Sequence, residues 1–177
     1  MSNTEKQLSS AARSLWSFAL VANCRAHAEL EEEQQNQEFT AWKKLLNKLR
    51  AYIGGELKSS SNLERFYMEF CEWEDSFTPS DSLNGRITDL VFSATHAASN
   101  ALFDDECDDS ELIRKTVGEL HEELTELGGD GAGLAEYFHN LDIEWTNLLR
   151  DIQQRPVAQS VIKGVCSTDV SVFGLSE

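Results

Sequence analysis

The chain has 177 residues, 41% of them hydrophobic, with only two prolines and ten glycines, a composition typical of one regular globular domain. Its 31 acidic and 15 basic residues give a formal net charge of -16, which disfavours binding to nucleic acid or to an anionic membrane surface. Its polar start carries no signal-peptide pattern, and no apolar run is long enough to span a bilayer, so we expect a cytoplasmic protein.

The first part of the chain has the apolar periodicity of helices. The pattern predicts a first helix from about Leu8 to about Glu33. Its polar end, Glu29–Gln34, is expected to fray into solvent. A second helix is predicted over Glu38–Ile53 and ends at Gly54-Gly55, because glycine commonly follows a helix C-terminus.

A third helix and a long central helix follow. Ser61 and Glu64 have the spacing of a capping box for the third helix, which ends before Thr78-Pro79. The central helix is predicted over Ser82–Phe103, where Ser82 is a suitable N-cap. Its middle is rich in alanine and serine, which allows neighbouring helices to approach closely. We therefore expect the rest of the chain to pack around it.

The last third of the chain contains the remaining helices. Two are predicted over Glu111–Leu127 and Leu134–Ile152. Pro156 is expected in the first turn of a short helix that extends to about Cys166, since proline suits the start of a helix. The alternating apolar residues of Val170–Leu175 are expected to dock as an extended segment.

Together these elements predict the fold class. The expectation is an all-α, single-domain bundle of six or seven helices around the central Ala-rich helix at about 82–103. Residues 1–177 are expected to form one helical domain, with polar N-terminal residues 1–6 and an extended C-terminal tail 167–177.

One polar stripe interrupts the apolar surface of the central helix. At helical spacing it occupies roughly a quarter of the circumference and consists of Arg86, Asp89, Ser93, His96 and Asn100. Serine, histidine and aspartate in one helix project in parallel, so a catalytic triad is disfavoured, and no Gly-x-Ser-x-Gly motif is present. We interpret the stripe as a solvated contact region; the alternative is the floor of a binding site.

Two patterns could suggest a metal, and both fail. Glu136 and His139 match half of a di-iron carboxylate motif, but the second copy is missing and both side chains lie opposite the apolar face. The acidic loop Asp104–Asp109 lacks the EF-hand glycine, and Lys115 stands where the closing glutamate belongs. The sequence therefore predicts no metal, no cofactor and no catalytic residue.

The other histidines and the cysteines offer no clear site either. His27 and His121 stand at helix edges beside glutamates, as surface histidines often do. The cysteines form no Cys-x-x-Cys pair and are interpreted as small, reduced core residues; they are Cys24, Cys71, Cys107 and Cys166.

Several stretches carry a family resemblance through their order and spacing. They are the helix from Trp16 to Cys24-Arg25, then Phe70–Asp75 with Phe77–Asp81 before the central helix, then Leu141–Trp145 and Val161–Gly164. In this order they resemble the YjaG-like bacterial proteins, domain-of-unknown-function family 416. The chain departs from that pattern at Ala28–Gln37, a Glu/Gln run where the family tends to have aromatic residues or proline. The resemblance implies an all-helical bacterial cytoplasmic protein and brings no known activity.

Three functions are compatible with these residues. The first hypothesis is a non-enzymatic domain that binds another protein or forms a homo-oligomer, because the chain is rich in apolar and aromatic residues and lacks a convincing site. The alternative is a small-molecule or metal-dependent enzyme that uses Asp89 and His96 of the polar stripe, or Asp142 and Glu144. The third is an acidic nucleic-acid mimic. Neither nucleic acid nor a membrane is expected as a partner.

Overall fold

A computed structural model describes residues 7–175, which form seven α-helices and no β-strand. The helices are α1 (Ser10–Gln35), α2 (Thr40–Ile53), α3 (Ser60–Asp75), α4 (Leu83–Phe103), α5 (Ser110–Glu126), α6 (Gly131–Leu149) and α7 (Gln159–Cys166). The predicted all-α bundle is therefore confirmed. The polar residues 1–6 lie outside the described residues, as do the last two residues of the predicted tail.

Helices α1 and α4 form the centre of the bundle. Every residue from Ala11 to Val21 of α1 is buried, and α4 is buried along most of its length. The Ser14 hydroxyl donates a hydrogen bond of 2.7 Å to the carbonyl of Ala98, so the two backbones lie close together. The Ala-rich helix is central as predicted, and α1 shares that position with it.

The other helices pack in pairs around this centre. α2 packs on α3, α5 packs on α4 and α6, and α7 packs on α1 and α6. Arg86 near the start of α4 reaches Glu123 near the end of α5, so these two helices run antiparallel. Tyr67 of α3 contacts Phe103 while Glu74 contacts His96, so α3 also runs antiparallel to α4.

An aromatic cluster joins α2 and α3 to α4. At its centre is the fully buried ring of Phe92. The centroid of that ring lies 5.6–5.7 Å from the centroids of Phe39, Trp42, Phe70, Trp73 and Phe77. Most of these pairs are edge-to-face, the geometry that aromatic rings prefer. Phe92 thus organises a packing surface of α4 for the aromatic residues of α2, α3 and their flanking loops.

Two helix starts differ from the prediction. The N-cap of α3 is Ser59, whose hydroxyl accepts a hydrogen bond from the Asn62 N–H, so the capping box at Ser61 and Glu64 is wrong. Pro156 precedes α7 by three residues and does not lie in its first turn. The Val157 N–H instead donates to the carbonyl of Ile53, which ties this connection to the end of α2.

The C-terminal tail docks, but it is not extended. The Gly174 N–H donates to the Ser171 carbonyl, and the Ser171 N–H donates to the Leu175 carbonyl. These bonds close a turn, which the left-handed backbone of Gly174 (φ 88°) completes. The segment buries the adjacent residues Val172 and Phe173, which a strand-like alternation would have placed on opposite faces, so the predicted extended shape is wrong.

No helix within residues 7–175 combines the length and the hydropathy required to cross a bilayer.

We expect the substitution Phe92→Ala to lower the free energy of unfolding by about 3–5 kcal/mol, the usual cost of removing a buried aromatic ring. Chemical denaturation followed by circular dichroism measures this change. The matched control is Met68→Ala, whose side chain is 62% exposed; it should change stability by less than about 0.5 kcal/mol. Equal losses in the two variants would contradict a core organised around Phe92.

Candidate functional site

The predicted polar stripe of α4 lies between α3 and α5 and remains accessible to solvent along most of its length. Arg86, Asp89 and Ser93 are exposed, whereas His96 and Asn100 are half-buried. The stripe is thus a solvated contact region in its exposed part and an interhelical contact near His96.

The imidazole of His96 connects two side chains of α3. The Tyr67 hydroxyl lies 2.9 Å from His96 Nδ1, and Glu74 Oε1 lies 2.5 Å from His96 Nε2. A chain of hydrogen bonds therefore runs from tyrosine through histidine to glutamate. The pattern of α4 alone could not predict it, because two of its three members belong to another helix.

The two potential nucleophiles beside His96 have raised pKa values. Burial is the main cause that raises the pKa of the Tyr67 hydroxyl to about 12, and the neighbouring Cys71 thiol adds to it. Burial likewise raises the pKa of Cys71. Both groups are therefore protonated at neutral pH. Of the two, the Tyr67 hydroxyl has a potential general base beside it, the His96 imidazole at 2.9 Å.

The negative charges of the carboxylates near the stripe are only partly balanced by neighbouring positive charges. Partial burial raises the pKa of Asp89, the negative charge of Glu74 raises it further, and only His96 acts in the opposite direction. Glu123 is paired with Arg86, the one arginine of the stripe. Glu119 is exposed one turn before Glu123, so it lies on the same side of α5. We call Glu74, Asp89, Glu119 and Glu123 the acidic surface.

A second polar constellation lies in an open groove of about 750 Å³ between α1, α5 and α6. The Trp16 indole N–H donates to Asp142 Oδ1 at 2.9 Å, and Arg114 donates to both oxygens of the same carboxylate at 2.8 and 3.1 Å. The Arg114 guanidinium also lies 4.5 Å from the centre of the Trp16 ring. These groups satisfy one another, so the constellation stabilises the contact of the three helices. Glu144, proposed with Asp142 for an enzyme, is exposed and outside this set.

The polar end of α1 is not frayed, contrary to the prediction. The helix continues to Gln35, and the side chain of Glu31 is fully buried. Glu31 accepts hydrogen bonds from the Ser80 N–H at 2.8 Å, the Ser80 hydroxyl at 3.0 Å and the Gln35 amide at 2.6 Å. Burial raises the pKa of Glu31, but these hydrogen bonds outweigh burial and hold it below the ordinary value. The carboxylate thus fixes the loop before α4 against α1.

Gly85 allows that loop to approach. A Cβ at this position would overlap the carbonyl and the hydroxyl of Ser80. The absence of a side chain at Gly85 is therefore a condition for the contact between Ser80 and Glu31.

The expectation that His27 and His121 are surface residues is also wrong. Their side chains are only 6% and 3% exposed, respectively. His27 stands between Asn23 and Glu31 at spacings of four, so these three residues form a polar line on the buried side of α1. This regular spacing was the available signal, and the surrounding run of glutamates and glutamines concealed it.

The remaining sequence candidates stay apart. Glu136 and His139 are exposed on α6, as predicted. Within residues 7–175, histidine, cysteine, aspartate and glutamate side chains form no group of three or more that could hold a metal ion. Cys24 is buried, whereas the other three cysteines are partly exposed, and all four are free. The expectation of core cysteines thus holds for Cys24.

The chain matches no family model, no curated protein and no solved structure. The resemblance to the YjaG-like proteins stays a prediction.

We expect Glu31→Gln to lower the free energy of unfolding at pH 7 by about 1–3 kcal/mol, because a buried hydrogen-bonded charge is lost. The lowered pKa of Glu31 stabilises the fold above the ordinary value of 4.5, and this contribution is lost as pH falls through the folded-state pKa. The difference between Glu31→Gln and the parent should therefore shrink below about pH 4.5. Denaturation curves at several pH values measure it. The exposed neighbour Glu33 supplies the control Glu33→Gln, and an equal effect there would contradict the role of Glu31.

Proposed function

We propose that the protein is a non-enzymatic, cytoplasmic protein-binding domain that recognises a basic surface of another protein through its acidic surface. The observation that carries the proposal is the position of Asp89 beside Glu74, where partial burial and, next to it, the like charge of Glu74 raise the pKa of Asp89. A lysine or arginine of a partner would relieve this repulsion. Four free cysteines fit the reducing environment of a cytoplasm.

The charge distribution supports a basic partner. The chain has twice as many acidic as basic residues, and the one arginine of the polar stripe is already paired with Glu123. Asp89 and Glu119 form no ion pair among the described residues. Complementary charge accelerates the encounter of two proteins and excludes wrong partners.

The same charges disfavour self-association through this surface. Two copies would bring carboxylates together, and like charges placed opposite each other in an interface oppose binding. A homo-oligomer would need another surface of the chain. A partner of opposite charge is therefore the better occupant.

An enzyme is the second candidate, and the hydrogen-bonded chain of Tyr67, His96 and Glu74 favours it. The raised pKa values of Tyr67 and Cys71 count against it because both groups are protonated at neutral pH and would need a general base such as His96 before they could attack a substrate. A nucleic-acid mimic is the third candidate and would also bind basic proteins. Competition by duplex DNA for the same partner would distinguish mimicry from ordinary protein recognition.

A fluorescent nona-arginine peptide tests the acidic surface directly. We expect the double variant Glu74→Gln/Asp89→Asn to bind this peptide about 2- to 30-fold more weakly than the parent, because each of the two exposed ion pairs contributes about 0.2–1 kcal/mol. Binding should also weaken with added salt. Fluorescence anisotropy measures the affinity at several ionic strengths.

The matched control is Glu136→Gln/Glu144→Gln, which removes the same charge from the exposed face of α6. A partner recovered from cell extract should be retained by the parent and by this control, and lost by Glu74→Gln/Asp89→Asn. Equal losses of affinity in the two double variants would show that the peptide senses only net charge, and the proposal would fail.

We further expect Asp89→Asn alone to stabilise the fold by up to about 0.5 kcal/mol, since repulsion from Glu74 is removed at a largely exposed site. The gain should be present at neutral pH and vanish in acid, where Asp89 is protonated in the parent. Thermal unfolding measures the difference. A substitution that raises stability and weakens binding is typical of a residue kept for function. A loss of stability at neutral pH would contradict the repulsion.

A further inference from the structure

The C-terminal segment, residues 170–175, is held among α1, α5 and α6. Ser171, Val172 and Phe173 are buried. The Val172 N–H donates to Asn23 Oδ1 at 2.9 Å, and the Tyr137 hydroxyl donates to the Val170 carbonyl at 2.7 Å. His121 Nε2 of α5 also lies 2.7 Å from the Val172 carbonyl, so hydrogen bonds from three helices hold the segment in addition to its apolar contacts.

Two imidazoles flank the buried ring of this segment. The centroid of the Phe173 ring lies 5.9 Å from that of His27 and 5.1 Å from that of His121. Each imidazole also contacts the backbone or a side chain of the segment through Nε2. The Phe173 ring of the segment thus packs against two titratable side chains.

The hydrogen bonds of His27 determine which ring nitrogen carries the hydrogen when the imidazole is neutral. Asn84 Nδ2 donates to the His27 carbonyl at 3.0 Å, which places Asn84 Oδ1 at 3.1 Å from His27 Nδ1. An amide oxygen only accepts, so Nδ1 carries the hydrogen. The opposite nitrogen, Nε2, lies 2.8 Å from the Ser171 hydroxyl.

The Ser171 hydroxyl requires Nε2 to be an acceptor. Its oxygen already accepts hydrogen bonds from the Phe173 N–H at 3.1 Å and from the Leu175 N–H at 3.0 Å. A hydroxyl oxygen has two lone pairs, so its remaining capacity is the O–H donor. That donor points to His27 Nε2. A proton on Nε2 would face a hydroxyl that has no free lone pair.

His121 is the second buried imidazole beside the segment. Its Nε2 donates to the Val172 carbonyl at 2.7 Å, so the neutral ring is satisfied at that nitrogen. A second proton would place a full charge on a side chain that is 3% exposed, and burial disfavours the charged form. The hydrogen bond from His121 Nε2 persists in either protonation state, so His27 is the imidazole whose contact with the segment requires a neutral ring.

We propose that the C-terminal segment is a pH-dependent element, which is released from α1, α5 and α6 when His27 gains a proton. Burial lowers the pKa of both histidines, only partly opposed by their hydrogen bonds. A lowered histidine pKa gives full stabilisation above the ordinary value of 6.5, and the stabilisation is lost as pH falls below that value.

The other titratable groups around the segment do not account for a pH dependence near neutral pH. They are Cys24 and Glu31 on α1, Tyr137 and Glu144 on α6, and Asp169 next to the segment. The pKa of Cys24 is raised to about 12, mainly by burial, and the pKa of Tyr137 is also raised. The Glu31 carboxylate accepts hydrogen bonds from Ser80 and Gln35. Histidine, unlike these cysteine, tyrosine and carboxylate side chains, ordinarily changes its charge between pH 5 and 8.

Amide hydrogen exchange of the whole protein, read by mass spectrometry, tests the proposal. After correction for intrinsic exchange, the opening constant of peptides that cover residues 170–175 should rise as pH falls from 7.5 to 5.5. We expect an increase of up to about 10-fold per pH unit below pH 6.5 from the titration of His27. Peptides from α4 should keep their protection, because the release is local. A constant opening of the segment over this range would overturn the proposal.

The double variant His27→Gln/His121→Gln should lose the pH dependence. The control His139→Gln, at an exposed position of α6, should keep it. If the double variant does not fold, Ser171→Ala supplies the test: it retains both imidazoles and removes the hydroxyl that requires a neutral His27. Its opening constant should be higher at pH 7.5 and depend less on pH than that of the parent. A parental pH dependence in either variant would overturn the proposal.

Discussion

The close packing of α1 on α4 is the constraint on which the other contacts depend. Alanine and serine at the contact let the two backbones approach, and the hydrogen bond from Ser14 to the Ala98 carbonyl joins them. One side of α4 is then free for the aromatic cluster around Phe92, and the opposite end of α1 reaches the loop at Ser80. Larger side chains at this contact would separate α1 from α4, and the aromatic and polar contacts would lose their partners together.

The sequence predicted features that depend on local pattern. Helix periodicity located all seven helices, and Ser82 was identified correctly as the N-cap of α4. Features that depend on distant residues were missed. Glu31 was assigned to solvent because it stands in an acidic run, but its partners Ser80 and Asn84 are about 50 residues away. His27 and His121 were misassigned for the same reason, since the segment that buries them lies at the far end of the chain.

The two polar regions of the molecule differ in how their hydrogen bonds and charges are satisfied. Around His27 and Glu31, donors and acceptors are matched within the chain, and the region is nearly closed to solvent. On the acidic surface, Asp89 remains exposed and its charge is opposed by that of Glu74. Polar groups whose hydrogen bonds are all made within the chain stabilise the fold. A repulsive arrangement of charges destabilises the isolated chain, and such arrangements are expected mainly at functional sites. This contrast supports the proposal that the acidic surface, and not the buried network, binds a partner.

The contact between Gly85 and Ser80 also limits how this sequence can vary. A side chain at position 85 would displace Ser80, and Glu31 would then keep a buried charge without its backbone donor. Glutamate, serine and glycine at these three positions are therefore interdependent, although they are distant along the chain. Proteins that share this architecture should retain or lose the three together. Such a joint pattern would identify relatives whose overall sequence identity is too low for recognition by alignment.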